Sequence, residues 1–220
     1  MVTDVTSANP PQAPAKDLIV WIDCEMTGLD IVSDALIEIA VIITDSQLRP
    51  LDQGLDLVIK PPPESLTGMD PVVVQMHTES GLLDALEGGT TLADAQQQVL
   101  EYIKRFTPEA RKAPLAGNSV GTDKMFLDRD MPELTEHLHY RIIDVSSIKE
   151  LARRWYPRAY FNSPAKQGGH RALADIAESI DELRYYRAIL FPADPGPDSA
   201  SAKAVAAKIV ESPTVPPAGH

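Results

Sequence analysis

Three runs of β-branched and large apolar residues crowd into residues 18–59: LIVWID, LIEIAVIIT and LDLVI. The segments between them carry Gly, Asp and Pro, so the runs are expected to form neighbouring antiparallel strands. The periodicity then changes. Leu92, Ala95, Val99, Leu100 and Ile103 recur at helical spacing and predict a helix over 91–106. APLAGNS reads as a short strand, DKMFLDRD as a helix and YRIIDVSS as another strand. SIKELARRWY and HRALADIAESIDELRYYRAIL read as helices, and PPPESLTGMDPVVVQMHTESGLLDAL as loop and short helix. A meander of strands followed by alternating helix and strand describes an α/β fold, a mixed sheet with helices on its faces.

The chain has 220 residues, enough for one domain with a full core. Nine of its 19 prolines lie in residues 1–16 and 191–220, in Ala/Ser/Pro-rich stretches that bury too little apolar surface to offset chain entropy. The folded domain is therefore expected at 17–190, between a disordered N-terminal tail and a flexible C-terminal tail with a marginal helix at 203–210. No apolar run is long enough to cross a membrane. The N-terminus lacks the basic start and apolar centre of a secretory signal. A single cysteine, Cys24, excludes an intramolecular disulfide; a small buried hydrophobe in a cytoplasmic protein is the expectation. The formal charge of −12 argues against a long phosphate-binding track.

The first run extends as LIVWIDCEMTGLD, residues 18–30, and ends in two carboxylates. Side chains in a strand alternate, so Asp23 and Glu25 share one face with Cys24 turned away, before a turn at Gly28. Two anions aimed from a stiff element at one point are costly unless something pairs with them. A frayed, solvated strand end is the plain alternative. Two other places could complete a site. In GNSVGTD, Asp123 stands at a strand-to-helix junction, where it is also a natural helix N-cap. In GGHRALAD, His170 and Asp175 stand five apart at the entry to the last helix, where an acid also favours the helix dipole. Each has a structural explanation singly. Together, in this order, they are far more specific.

WIDCEMTGLD, GNSVGTD, YRIIDVSSIKELARRWYP and HRALADI resemble the oligoribonucleases of the DEDD exonuclease superfamily, the branch with a catalytic histidine. The resemblance covers residues 17–190 and leaves both tails outside. It implies a ribonuclease H-like fold, a homodimer, and 3′-to-5′ removal of nucleotides from very short RNA, dinucleotides above all, giving nucleoside 5′-monophosphates. Asp23, Glu25, Asp123 and Asp175 offer only oxygen, which suits Mg²⁺ or Mn²⁺. Two such ions per site are implied, with Asp23 bridging them and His170 as general base, since imidazoles titrate near working pH. Gly168 and Gly169 would let its loop close.

The resemblance also names substrate contacts. Leu29 matches a wedge between bases. Ser119, Arg141, Ser146 and Ser147 match a cap on the 5′ phosphate, for which a guanidinium fork is suited. Tyr140 is expected to reach over from the partner subunit, and His77 to lie beside the substrate. Val72 stands where some members carry tryptophan. Core packing for Leu29, helix capping for Ser146 and Ser147, and a strand position for Tyr140 are the competing explanations. Asp144 is expected to brace or cap, Glu38 to be structural, and ARRWYPR to be a solvated helix face with a packed Trp. The alternatives in function are a related exonuclease acting on DNA or longer RNA ends, and a non-catalytic RNA- or protein-binding module on the same fold.

Overall fold

The computed structural model of the chain describes residues 17–165, 169–211 and 214. β1 (Ile19–Met26), β2 (Leu36–Thr44) and β3 (Leu55–Val58) form the antiparallel meander. β4 (Pro114–Gly117) and β5 (His139–Asp144) lie parallel to β1, completing a five-stranded sheet in the order β3-β2-β1-β4-β5. Close approach of β4 to β1 depends on Gly117, whose absent Cβ would meet the Ile22 carbonyl at 3.0 Å.

Between β3 and β4 the expected loop with short helix and the helix over 91–106 are found. α1 (Pro71–Glu79) starts at an Asp70 side chain that accepts from the Val72 N–H, with Pro71 at its first position. A short α2 (Leu82–Ala85) follows, then α3 (Leu92–Phe106), whose N-cap is Thr91. α4 (Gly121–Asp130) and α5 (Pro132–His137) lie between β4 and β5. α6 (Val145–Trp155), α7 (Pro157–Phe161) and α8 (Ala172–Leu190) follow β5. α9 (Ser199–Glu211) lies in the C-terminal segment and has no buried residue. The N-terminal tail, Gly168 and most of residues 212–220 lie outside the described residues.

Strand parity sorts the core into two layers. Val20, Ile22 and Cys24 of β1 pack with Ile39, Val41 and Ile43 of β2 against α3 and α4. Ile19 and Trp21 pack with Ala40 and Ile42 against α6 and α8. Trp21 is fully buried and satisfies its indole N–H on Thr44 Oγ1, 3.0 Å away. Asp23 and Glu25 continue the parity of Ile19 and Trp21, so they point toward α8. Glu38 of β2 is the direct cross-strand partner of Glu25. Like charges in that position repel.

Arg171 relieves the conflict. Glu38 is fully buried, yet its Oε1 accepts from Arg171 Nε at 2.7 Å and its Oε2 from the Ala172 N–H at 2.9 Å. The carboxylate thus holds the first turn of α8 to the sheet. Replacing Arg171 with Ala leaves a buried anion without its cation, and a loss of about 3 kcal/mol in unfolding free energy is expected. Adding Glu38→Gln to that variant should recover part of the loss. Denaturant unfolding of the two variants checks this; equal stability of R171A and wild type would remove the clamp.

Candidate active site

β1, β4 and β5 run parallel and end on one edge of the sheet, the usual side for ligands in α/β folds. The sequence-predicted acids meet there. Oxygens of Asp23, Glu25 and Asp175 all lie within 4.8 Å of one another. Two come from successive outward positions of β1, the third from the first turn of α8. Asp123 lies outside that group. Its Oδ1 accepts the N–H of Cys24 at 3.0 Å, which ties it to the strand between the two β1 acids. It is not an N-cap, because α4 begins two residues earlier and Asp123 sits inside its first turn. His170 is exposed, outside the three-oxygen group, in the left-handed backbone region at φ 44°.

His77 lies under the site. Its imidazole is fully buried; Nε2 pairs with the Met26 carbonyl at 2.9 Å and Nδ1 stands 4.0 Å from Glu25 Oε2. A carbonyl only accepts, so Nε2 carries the hydrogen and Nδ1 faces Glu25. The resemblance put His77 beside the substrate. It is buried here, and Glu25 is the acid its Nδ1 faces. Cys24 is free and buried on the opposite face, and burial together with Asp123 pushes its thiol up. No sulfur joins the oxygens.

Leu29 is 75% exposed, which excludes the core explanation. Its loop is pinned by Asp34, which accepts from Thr27 Oγ1 at 3.0 Å and from the Asp30 N–H at 2.8 Å. A Cβ on Gly28 would collide with that carboxylate at 2.4 Å. Arg129 closes the loop from α4 through the carbonyls of Ile31 and Asp34. Val72 is likewise 74% exposed, on the first turn of α1.

At the ends of β4 and β5, Ser119 and Ser146 touch, Oγ to Oγ 3.1 Å. Asp144, not Ser146 or Ser147, caps α6, and its Oδ1 accepts both the Ser146 N–H at 2.9 Å and the Ser119 N–H at 3.0 Å. Ser147 is exposed. Arg141 is exposed, and among the described residues only the Tyr140 ring, at 5.4 Å, lies against its guanidinium. Tyr140 stacks on His139 and is 75% exposed on an edge strand. Trp155 is 65% exposed rather than packed, while Arg153 and Arg154 fold back onto Glu150. Glu38, Arg171 and Asn118 complete the surroundings. A lone Glu inside LIEIAVIIT was the available signal for the first; nothing local marked its partner.

A family model described as Exonuclease (RNase_T) matches residues 20–183. Oligoribonuclease from Streptomyces griseus is 65% identical over 88% of this chain and 96% of its own length. Oligoribonuclease from Leifsonia xyli is 59% identical over 90% and 96%. The chain belongs to the oligoribonuclease family. Among solved structures, Exonuclease I from Methylocaldum szegediense superposes with a TM-score of 0.57 at 19% identity, over 79% of this chain. E. coli ExoI, in a zinc-bound complex with single-stranded DNA, gives 0.64 at 14% over 80%. The chain spans 41% of the length of both, and this likeness shows the shared fold, a sheet and helices of the ribonuclease H-like type.

In this chain the cluster has a strong electrostatic signature. Burial first, then Asp175, Glu38 and Asp123, push the Glu25 carboxyl up to about 8, against the opposing charge of Arg171. Burial raises Asp123 to about 6, although the Cys24 N–H works the other way. Oxygen donors that resist losing their protons suit a hard divalent cation, which removes the repulsion on binding. The sign follows. A carboxyl with a raised folded pKa holds its proton while the unfolded chain has released it, so metal-free stability falls as pH rises from the ordinary carboxylate range to about 8. Mn²⁺ should therefore raise the melting temperature more at about pH 8 than at about pH 6. Equal increments at the two pH values would mean these acids do not bind it.

Proposed function

We propose that this chain is a 3′-to-5′ exoribonuclease of very short RNA, with its exonuclease domain at 17–190 and nucleoside 5′-monophosphates as products. The observation that carries the reading is the convergence of Asp23, Glu25 and Asp175 at the sheet edge of a chain 57–65% identical to oligoribonucleases. Asp123, locked to the same strand, is the fourth acid. Together they would hold two ions, Mg²⁺ or Mn²⁺. Bound there, such ions supply an activated water and stabilise the leaving 3′ oxygen.

The chain's own residues do the rest. His170 accepts the proton of the attacking water, a role supported by its exposure just ahead of the helix that carries Asp175. His77 orients Glu25 from beneath. Leu29, on its pinned and exposed loop, wedges against a base; the exposed Val72 offers only a small apolar face where some members present an aromatic ring. Ser119, Arg141, Ser146 and Ser147 bind the 5′ phosphate. With a net charge of −12, a few focused contacts of this kind favour short substrates over long ones.

Tyr140 acts from a partner subunit in a homodimer. Support comes from β5, an edge strand with Tyr140 and Ile142 exposed, and from Leu151 and Trp155, exposed one turn apart on α6. Such surfaces call for a partner. A cytoplasmic setting agrees with one free, buried cysteine; no helix among the described residues is long and apolar enough to cross a membrane.

Timed hydrolysis of 5′-phosphorylated RNAs from two to about ten nucleotides, with and without chelator, tests the reading. The dinucleotide should be cleaved fastest and chelator should abolish cleavage. Preference for DNA or for a chain of about twenty nucleotides would replace this function with that of a general exonuclease, and absence of Mn²⁺-dependent hydrolysis with that of a binding module. His170→Ala should keep the Mn²⁺-induced rise in melting temperature and lose about 10²–10⁴-fold in turnover.

A further inference from the structure

α8 carries a polar stripe inside an apolar face. Asp175, Ser179 and Glu182 stand at i, i+4 and i+7, one side of the helix over a rise of about 10 Å. Around them Ile176, Ile180, Leu183 and Tyr186 pack into the core. Asp175 belongs to the acid cluster. Ser179 and Glu182 are buried and serve another purpose, since core packing has no use for a carboxylate that must be desolvated.

Both hold Asn118, the residue after β4. Its Nδ2 donates to Ser179 Oγ at 2.8 Å and to Glu182 Oε2 at 3.0 Å. The other oxygen of Glu182 takes Lys149 Nζ at 3.0 Å. Asn118 Oδ1 accepts from Ser146 Oγ at 3.1 Å. The amide is fixed in one orientation, because a flip would set its oxygen against the Glu182 carboxylate. A serine hydroxyl has one hydrogen. Spent on Asn118, it leaves Ser146 Oγ an acceptor, used by the Ser119 N–H at 2.9 Å and by the Ser119 hydroxyl at 3.1 Å. Donation therefore runs from Ser119 through Ser146 and Asn118 to the acceptors of the α8 stripe.

We infer that Asn118, gripped by Ser179 and Glu182, is a positioning residue for the 5′-phosphate contacts, and that α8 thereby fixes the spacing between the two ends of a bound dinucleotide. The same helix presents Asp175 to the 3′ side and, through Asn118 and Ser146, aligns Ser119 at the other, where its hydroxyl can turn from Ser146 to give its hydrogen to the phosphate. The inference rests on the reading that these serines hold the 5′ phosphate, and the experiment separates the two.

Steady-state kinetics on one dinucleotide with and without its 5′ phosphate give the ratio of kcat/KM that reports the phosphate contacts. Ser146→Ala tests the reading itself. Asn118→Ala should lower the ratio about tenfold, chiefly through KM for the phosphorylated substrate. Glu182→Ala should do the same. Glu182→Gln, whose amide oxygen can still accept from Asn118, should keep most of it, a rescue that general loosening of the fold would not give. If N118A fails to fold, the E182A and E182Q pair decides. A wild-type ratio in N118A and E182A, with S146A lowered, would overturn the positioning role and leave the phosphate contacts standing. No phosphate preference in the wild type would remove both.

Discussion

The buried carboxylate of Glu38 organises this molecule. It sits on β2 opposite Glu25, where two anions side by side would drive the strands' ends apart. Arg171 neutralises it and Ala172 donates to it, so the repulsion becomes an attachment point for α8. Everything that α8 delivers follows from that attachment: Asp175 at the acid cluster, and the Ser179–Glu182 pair behind Asn118. A helix start without a side-chain cap of its own is capped instead by the sheet it packs on.

The site is assembled under electrostatic tension. Three acids, partly or wholly removed from water, face one point, and His77 adds a ring nitrogen without a hydrogen-bond partner 4.0 Å from Glu25. Such an arrangement is poor for stability in isolation and well suited to gathering cations. Rigid supports keep it in place: a central strand for two acids, a backbone N–H for Asp123, and the clamp at the start of α8 for the last.

Much of this was legible in the residues. Strand alternation put Asp23 and Glu25 on one face with Cys24 on the other, and the two core layers follow the same parity. The sheet and most helices followed from period and turn chemistry. Where a local explanation fell away, tertiary context had overruled local preference. Asp123 has the look of an N-cap, but its carboxylate is drawn to a strand far away in sequence. Ser146 and Ser147 look like caps as well, yet Asp144 precedes them and takes the role. Trp155 suggests packing, and stands exposed. In the segment between β3 and α3 the expected loop and short helix are found, and Pro71 serves as a helix start because the first turn needs no donor from it.

Periodicity, the parity of LIVWIDCEM and the spacing of His170 and Asp175 are properties of consecutive residues, and the order of the chain alone determined them. Fold class, the shared face of two acids and the identity of the remaining candidates therefore needed no coordinates. Partnerships across long separations were decided only by folding: Glu38 with Arg171, Asn118 with Glu182, His77 with Glu25. The reason is physical. A backbone period dictates which way a side chain points, but which charge or donor waits there depends on how separate elements pack, and no local pattern encodes that meeting.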